Sequence, residues 1–209
     1  MSRRGFMGAA ATGAVALAGF ALAGCSSTSA SSEKSSEKEK AAKPVILVTS
    51  FGTSYNDSRH ITIGAIEDAI REKYWQDYDI RRAFTAQIII DKLKKRDGIT
   101  IDNMTEALDR CVEDGVKEIV VQPTHLMHGA EYDEMNELLD QYKDKFEGIA
   151  VAEPLLGEVG DDATVINADK EAVAKAITAE AVKTAGYDDV AAAAEDGTAF
   201  VFMGHGTAH

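Results

Sequence analysis

The stretch that decides the fold is PVILVTSFGT, residues 44–53. Its apolar part, Val45–Val48, is continuous rather than alternating and is mostly β-branched. Such a run is typical of a parallel strand that is covered on both faces. A turn rich in hydroxyl groups follows at once, at Thr49–Thr53. The sequence therefore predicts a buried strand that leads directly into a polar loop.

Beyond this stretch, strand-like and helix-like patterns alternate along the chain. Further strands are predicted at Asp79–Thr85, Ile119–Val121, Ile149–Ala152 and Ala199–Met203. Helices are predicted between them from apolar stripes at helical spacing, in segments that end near Tyr74, Gly98, Gly115, Phe146 and Ala185. Asp102 is the expected cap of the third helix, and 188–196 is expected to be a surface loop or a single helical turn. The alternation predicts an α/β fold, a layered domain with a mostly parallel sheet flanked by helices.

Residues 1–43 have the composition of an export signal followed by a tether. Arg3 and Arg4 precede an apolar stretch, Phe6–Ala23, and resemble a twin-arginine signal. Leu22–Cys25 resembles a bacterial lipobox, so Cys25 is the predicted lipidation site. An uncleaved signal anchor is the alternative. The Ser-, Glu- and Lys-rich spacer that follows has almost no apolar residue to bury and is predicted to be disordered.

These patterns divide the chain into three parts. We expect a signal peptide at 1–24, a lipidated cysteine with its spacer at 25–43, and an α/β domain at 44–209. The protein is expected to be exported, either periplasmic or on the outer cell surface, and to meet the membrane only through its lipid anchor. With Cys25 acylated, Cys111 is the remaining cysteine, so no intramolecular disulfide is expected.

The charge of the chain limits its partners. The 209 residues are 45% hydrophobic and 27% charged, with a formal net charge of −13. Residues 1–43 hold six of the 22 basic and three of the 35 acidic side chains, so residues 44–209 carry −16. This charge argues against nucleic-acid binding, which needs a cationic surface, and against electrostatic docking on anionic lipid.

The residues that follow the predicted strands are informative because ligands of open parallel sheets bind beyond the carboxyl ends of the strands. Four histidines and one carboxylate are expected to meet at this edge: His125, His128, His205, His209 and Glu131. His205 is the sharpest signal, because Gly204 and Gly206 leave bare backbone on both sides of it and let the loop approach a ligand closely. The alternative is a histidine that caps a helix or is satisfied in the core.

Imidazole and carboxylate together suit a divalent metal such as Co, Ni, Fe or Zn, and imidazole also accepts a proton near neutral pH. The candidate catalytic residues are His205 and Glu131, and the candidate metal ligands are the same two with His125. Glu131 could instead be a favourable charge at a helix N-terminus, and His125 could be hydrogen-bonded to backbone. His128 is expected to be an exposed loop residue, with metal or haem ligation as the alternative.

The loop at Ser50–Ser54 could hold the carboxylates of an organic acid through hydroxyl and amide groups. It lacks the Gly-x-x-x-x-Gly-Lys-Ser/Thr pattern and contains no Gly-x-Gly-x-x-Gly, so no nucleotide cofactor is expected. Ser50 is not in a Gly-x-Ser-x-Gly elbow, which argues against a hydrolase. Arg81 and Arg82 are the best cations nearby, although one must point away if both lie on a strand. Salt bridges are the alternative for both.

Five ordered segments of 44–209 resemble the anaerobic sirohydrochlorin cobaltochelatase family of class II tetrapyrrole metal chelatases. They are Val48–Tyr55, Arg82–Thr85, Lys95–Ile99, Gln122–Tyr132 and Val201–Gly206. The resemblance implies two similar α/β halves around a tetrapyrrole cleft, of which this domain would be the first, with the C-terminal half missing. It also implies insertion of Co(II) with release of two pyrrole protons, on the route to cobalamin and without ATP. In the resemblance, His205 matches a metal-binding catalytic histidine and Glu131 matches a cleft glutamate.

We therefore predict a protein that inserts Co(II) into sirohydrochlorin. Substrate binding is assigned to the edge loops, at Ser50, Phe51, Gly52, Thr53, Ser54, Phe84, Thr85, Gly204 and Gly206. A homo-oligomer is expected, since a half-length protein would be active only if two chains complete one cleft. The alternative is that the sequence is a fragment of a longer protein that contains the second half. Because a domain of −16 repels a polycarboxylate at long range, the cleft walls should be hydroxyl-lined or locally positive. The rival hypothesis is a periplasmic carrier of metal, haem or tetrapyrrole that catalyses nothing.

Overall fold

The computed structural model describes residues 42–157, 162 and 164–204. Its strands are β1 (Val45–Ser50), β2 (Asp79–Phe84), β3 (Glu118–Pro123) and β4 (Gly148–Val151). Its helices are α1 (Asn56–Arg59), α2 (Ala65–Tyr74), α3 (Gln87–Asp97), α4 (Met104–Glu113), α5 (Ala130–Asp140), α6 (Ala168–Thr184) and α7 (Val190–Glu195). A π-helical segment, His60–Gly64, joins α1 to α2, and a 3-10 turn, Lys143–Lys145, follows α5.

The strands form a parallel sheet in the order β2-β1-β3-β4. Every residue of β1 is buried, because β1 pairs with a strand on each side and is covered on both faces. In the register, Val45 lies beside Asp79 of β2 and Ile119 of β3. The predicted buried first strand and the predicted α/β fold class are both confirmed.

The helices cover both faces of this sheet. On one face, α4 and α5 pack their apolar side chains against β1 and β3, and this cluster includes Leu47, Leu108, Val121, Met135 and Leu139. On the other face, α3 packs on the end of β2, in a cluster of Phe84, Ile90, Leu93 and Ile101. Because Ala83 and Phe84 are neighbours on β2, they point into opposite clusters, as the alternation of a strand requires. The layers predicted from the sequence are therefore present.

Two local predictions differ from the structure. The cap of α4 is Asn103 rather than Asp102: the Asn103 side chain accepts from Glu106 N, and the Glu106 carboxylate accepts from Asn103 N. Asp102 instead holds Arg110 at 2.8 Å. The 188–196 stretch contains the helix α7, whose first turn is capped by the Asp189 side chain.

The predicted strand at Ala199–Met203 is wrong. The segment has no regular secondary structure, and the side chains of Val201 and Met203 are 90% and 97% exposed. A strand forms where its backbone groups find partners on a neighbouring strand, and no described residue pairs with this segment. Apolar content alone was therefore an insufficient signal.

Several predictions fall outside the described residues. They concern the export signal, Cys25, most of the spacer, His205, Gly206 and His209. No helix in the described part of the chain has the length and apolarity that a membrane span requires.

Candidate functional site

The carboxyl ends of the four strands carry loops that are joined to one another by backbone hydrogen bonds. Thr85 N donates to Ser50 O at 2.9 Å, and Thr124 N donates to Thr49 O at 2.8 Å. Leu155 N, in the loop after β4, donates to His125 O at 3.0 Å. The loops after all four strands therefore form one continuous edge, as the parallel sheet predicts.

The loop after β1 is shaped by a close contact between Gly52 and Phe84. Gly52 has φ +97°, and a Cβ atom there would lie 2.5 Å from Cδ2 of Phe84. Only glycine fits this position, because it needs both a left-handed backbone and the absence of a side chain. The Phe84 ring is fully buried beneath the loop, so it supports the predicted substrate loop from below.

The hydroxyl groups at this edge differ in their surroundings. Ser50 is 1% exposed, and its Oγ accepts a 2.8 Å hydrogen bond from Thr124 Oγ1, which ties the first loop to the third. Thr85 Oγ1 is buried and has no hydrogen-bond partner among the described residues. A buried polar atom without a partner is uncommon in folded proteins and is often explained by a missing ligand or water.

His125 is the most unusual side chain of the edge. Its side chain is 9% exposed, and neither ring nitrogen has a hydrogen-bond partner within the described part of the chain. The nearest carboxylate oxygen, Oε2 of Glu131, lies 3.6 Å from Nε2, which is too long for a hydrogen bond. Burial lowers the pKa of His125, and the charge of Glu131 opposes that effect in part. The lowered pKa favours the neutral imidazole, and its lone pair has no partner in the described part of the chain.

Glu131 lies in the first turn of α5, where a negative charge is favoured by the helix dipole. Its side chain is 46% exposed, so its carboxylate remains accessible. A cavity of about 290 Å³ opens beside Thr85 and Glu131, between the start of α4 and α5. This edge of the sheet thus combines the accessible carboxylate of Glu131 with two side chains, those of His125 and Thr85, that have no hydrogen-bond partner among the described residues.

His128 has a different environment from His125. Its Nε2 lies 2.8 Å from Oε2 of Glu153, and its ring packs edge-on against Tyr132 with centroids 4.5 Å apart. The Tyr132 hydroxyl also donates to Ala152 O at 3.5 Å. His128 therefore connects the loops after β3 and β4, and its Nε2 is already engaged. Haem ligation by His128 stays a prediction.

Exposed apolar side chains stand on the same loops. They belong to Phe51, Tyr55, Leu126 and Leu155, which are 49%, 73%, 53% and 56% exposed. Apolar side chains grouped on one surface of a soluble domain often mark a binding site. Sequence reasoning missed Leu126 and Leu155, although both follow predicted strands in otherwise polar loops, which is a signal that could have identified them.

The two arginines considered as cations for the site lie elsewhere on β2. Arg82 binds the buried carboxylate of Glu67 through two hydrogen bonds, on one side of the strand. Arg81 binds Asp79 at 2.9 Å and Asp114 at 2.6 Å, on the other side. The salt-bridge alternative holds for both, and neither belongs to the edge loops.

The described residues contain no group of three or more His, Cys, Asp or Glu side chains arranged to hold a metal. His125 and Glu131 supply two donors within 3.6 Å of each other. His205, the other candidate ligand, is outside the described ranges, and Gly204 beside it is exposed.

Comparison with known proteins adds an independent observation. The family model for cobalt chelatase (CbiK) matches residues 44–209. The chain is 31% identical over 167 residues to the sirohydrochlorin cobaltochelatase of Salmonella typhimurium, covering 80% of this chain and 56% of the relative. It is 28% identical over 169 residues to the sirohydrochlorin cobaltochelatase CbiKC of Nitratidesulfovibrio vulgaris, covering 80% of this chain and 53% of the relative. The chain thus spans about half the length of these curated relatives.

Among solved structures, a similar one is that of a cobalamin (vitamin B12) biosynthesis CbiX protein from Marinobacter aquaeolei VT8. The TM-score is 0.42 at 15% sequence identity, and the match covers 68% of this chain and 98% of that chain.

Proposed function

The chain belongs to the CbiK cobalt chelatase family, and we propose that it inserts Co(II) into sirohydrochlorin at the carboxyl edge of its sheet. The family match covers the whole α/β domain, including every residue of the edge loops. Two sirohydrochlorin cobaltochelatases are among its relatives, which supports this substrate and this metal.

The observation that carries the proposal is the imidazole of His125, whose two buried nitrogens have no hydrogen-bond partner among the described residues and whose Nε2 lies 3.6 Å from the carboxylate of Glu131. Leaving a buried polar group without a hydrogen bond costs about 1–3 kcal/mol, so such groups are uncommon in folded proteins. A neutral imidazole is a good ligand for Co(II), and a neighbouring carboxylate is a second donor of the kind that a divalent metal accepts. The pair therefore suits the delivery of a metal.

Metallation of a tetrapyrrole also requires an acceptor for the two pyrrole protons that the metal replaces. Glu131 is accessible and stands at the mouth of the cavity beside Thr85, so its carboxylate can receive these protons and pass them to solvent. We assign His205 the same two tasks of metal binding and proton acceptance, because it matches the metal-binding histidine in the resemblance. His125, Glu131 and His205 are then the metal-handling residues.

The rest of the edge suits a flat, polycarboxylated macrocycle. Phe51, Leu126 and Leu155 offer apolar surface to the ring, and burial of such surface stabilises a complex by about 25 cal/mol per Å². The loop at Gly52–Ser54 offers its backbone amides and the half-buried hydroxyl group of Thr53 to the carboxylates. These local donors would offset the long-range repulsion between an anionic substrate and a domain of −16.

We further propose that the protein acts outside the cytoplasm, anchored through acylated Cys25. The arginine pair, the apolar stretch and the lipobox-like Leu22–Cys25 support this location. Labelling with a radioactive fatty acid checks it: wild type should incorporate label, and Cys25→Ala should not.

A metal-insertion assay tests the proposed reaction. Purified full-length protein is mixed with sirohydrochlorin and Co(II), and the absorbance of the metallated product is followed. Wild type should exceed the spontaneous rate, while His205→Ala and Glu131→Gln should lose turnover and keep the circular dichroism spectrum of wild type. A wild-type rate equal to the spontaneous background would exclude the enzyme.

The same experiment distinguishes the enzyme from a carrier. A carrier would bind tetrapyrrole or Co(II) in stoichiometric amounts without accelerating metallation. Equilibrium binding of each ligand, measured beside the rate, therefore identifies which of the two activities the protein has.

A further inference from the structure

The segment Lys95–Ile99 is part of the resemblance, yet none of its residues belongs to the site described above. It forms the end of α3, where Gly98 adopts φ +69° and closes the helix. Arg96 reaches from this helix end to the loop after β1, and its Nη2 donates to Ser54 O at 2.5 Å. The two residues are 42 positions apart in the chain, so this contact is a tertiary one.

Arg96 is itself held by its neighbour. Its Nε and Nη2 donate to the two carboxylate oxygens of Asp97 at 2.7 and 2.5 Å. Asp97 also accepts a 3.3 Å hydrogen bond from Asn56 Nδ2, at the start of α1. A bidentate contact with a carboxylate fixes the plane of the guanidinium group. The second N–H of Arg96 Nη2 therefore points in a defined direction, toward Ser54 O.

The loop carbonyl next to Ser54 is held in a similar way. Arg59 Nη1, from α1, lies 3.4 Å from Thr53 O, and Arg59 N donates to Tyr55 O at 2.8 Å. Three successive carbonyl groups, those of Thr53, Ser54 and Tyr55, therefore accept hydrogen bonds from residues of α1 and α3. On the same loop, the backbone N–H groups of Gly52, Thr53 and Ser54 make no backbone hydrogen bond to another described residue.

The contacts of these carbonyl groups fix the direction in which the backbone amides of the loop point. When guanidinium groups hold the carbonyl oxygens on one side, the loop conformation is fixed and its unpaired amides are left for an outside acceptor. Consecutive backbone amides of this kind form anion-binding concavities in many proteins. Carboxylates of a tetrapyrrole are suitable acceptors, and Phe51 provides apolar surface immediately before these amides.

We propose that Arg96, oriented by Asp97, is a positioning residue that fixes the loop Phe51–Tyr55 in the conformation that binds the substrate's carboxylates. This inference rests on the proposed function, since it names the substrate group that the loop receives. Among the described residues, Arg96 bonds with neither His125 nor Glu131, and it does not line the cavity beside Glu131. Its loss should therefore weaken tetrapyrrole binding and leave the handling of Co(II) unchanged.

Steady-state kinetics of cobalt insertion test the inference, with three variants of the full-length protein. Arg96→Ala should raise KM for sirohydrochlorin about tenfold, which corresponds to loss of roughly 1.4 kcal/mol, with kcat and KM for Co(II) unchanged. Arg96→Lys keeps one donor but loses the two-bonded contact, so its KM should lie between wild type and Arg96→Ala. Arg71→Ala is the matched control, because Arg71 makes a 2.6 Å surface salt bridge with Asp68 and contacts no edge loop.

The outcomes separate this inference from the proposed function. If wild type inserts Co(II) and both Arg96 variants keep its KM for sirohydrochlorin, the inference is wrong and the proposed function stands. If kcat falls with KM unchanged, Arg96 is not a positioning residue for substrate. If wild type neither binds nor metallates sirohydrochlorin, both fail together. Hydrogen exchange of 50–56 provides a readout without substrate: exchange should accelerate in Arg96→Ala and stay at the wild-type rate in Arg71→Ala.

Discussion

At the scale of single residues, the two histidines at the edge of the sheet differ in their hydrogen bonding. His128 forms a hydrogen bond with Glu153 through its Nε2. His125 is nearly buried, and neither of its ring nitrogens has a hydrogen-bond partner in the described ranges. Burial of a chargeable ring without such a partner favours its neutral form. The burial that supports the proposed metal-binding role of His125 also makes this residue destabilise the fold in acid.

His125 should therefore make the protein less stable below neutral pH. Its folded pKa is lowered from 6.5 by burial, so the unfolded chain binds a proton first as pH falls through 6.5. Stability is lost from there down to the folded pKa and changes no further below it. Urea unfolding between pH 7 and 5 should show a smaller loss in His125→Gln than in wild type. His60→Gln, which alters an exposed histidine, is the control, and an equal loss in all three proteins would contradict the assignment.

The sequence predicted which residue types lie at the candidate site, but not the contacts that their side chains make. His125, Glu131 and the Ser50–Ser54 loop follow predicted strands, and the rule for parallel sheets places them at one edge. The isolation of the His125 nitrogens could not be predicted, because it depends on how the ring packs beside Tyr132 and Glu131 in three dimensions. The role of Arg96 was hidden for the same reason, since its partner Ser54 is distant in sequence.

At the scale of elements, helix ends fix the loops that carry the site. The cap of α4 joins Asn103 and Glu106 by reciprocal hydrogen bonds of 2.9 Å. Asn103 also donates to Gln87 Oε1 at 3.2 Å, at the start of α3. The Asn103 side chain thus caps the N-terminus of α4 and links this helix to the start of α3.

Loss of this cap should cost stability of about 1 kcal/mol, as is usual for replacement of a capping residue by alanine. We expect this decrease in the free energy of unfolding for Asn103→Ala, measured by urea denaturation. Asn103→Asp retains an acceptor for Glu106 N and should lose much less. A value for Asn103→Ala within error of wild type would mean that the cap contributes nothing to the fold.

The elements also show why some predictions were confirmed and others were wrong. The strands β1 to β4 could be predicted because strand-like segments alternate with helical ones along the chain, and each of the four pairs with a neighbour in the sheet. The Ala199–Met203 run has the same composition, but pairing is a tertiary property and no described strand lies beside it. Asp102 and Asn103 are adjacent and both favoured at caps, so composition could not choose between them. In the structure Asn103 is the cap, and the Asp102 carboxylate instead forms a salt bridge with Arg110.

At the scale of the whole molecule, the proposed function requires an acidic domain to bind an acidic substrate. The charge of −16 over residues 44–209 repels polycarboxylates at long range, and β2 offers no help because Arg81 and Arg82 are paired with acids. Binding must then come from short-range contacts, which are the apolar side chains and amides of the edge loops. The chain also spans about half the length of its curated relatives.

The most direct test of this account is the initial rate of cobalt insertion by His125→Ala beside His60→Ala. Both variants remove one imidazole, but only His125 is buried at the edge of the sheet. The account predicts that kcat/KM for Co(II) falls about tenfold or more in His125→Ala and keeps its wild-type value in His60→Ala. Equal rates in the two variants, with both proteins folded, would contradict the claim that this edge is where the metal is handled.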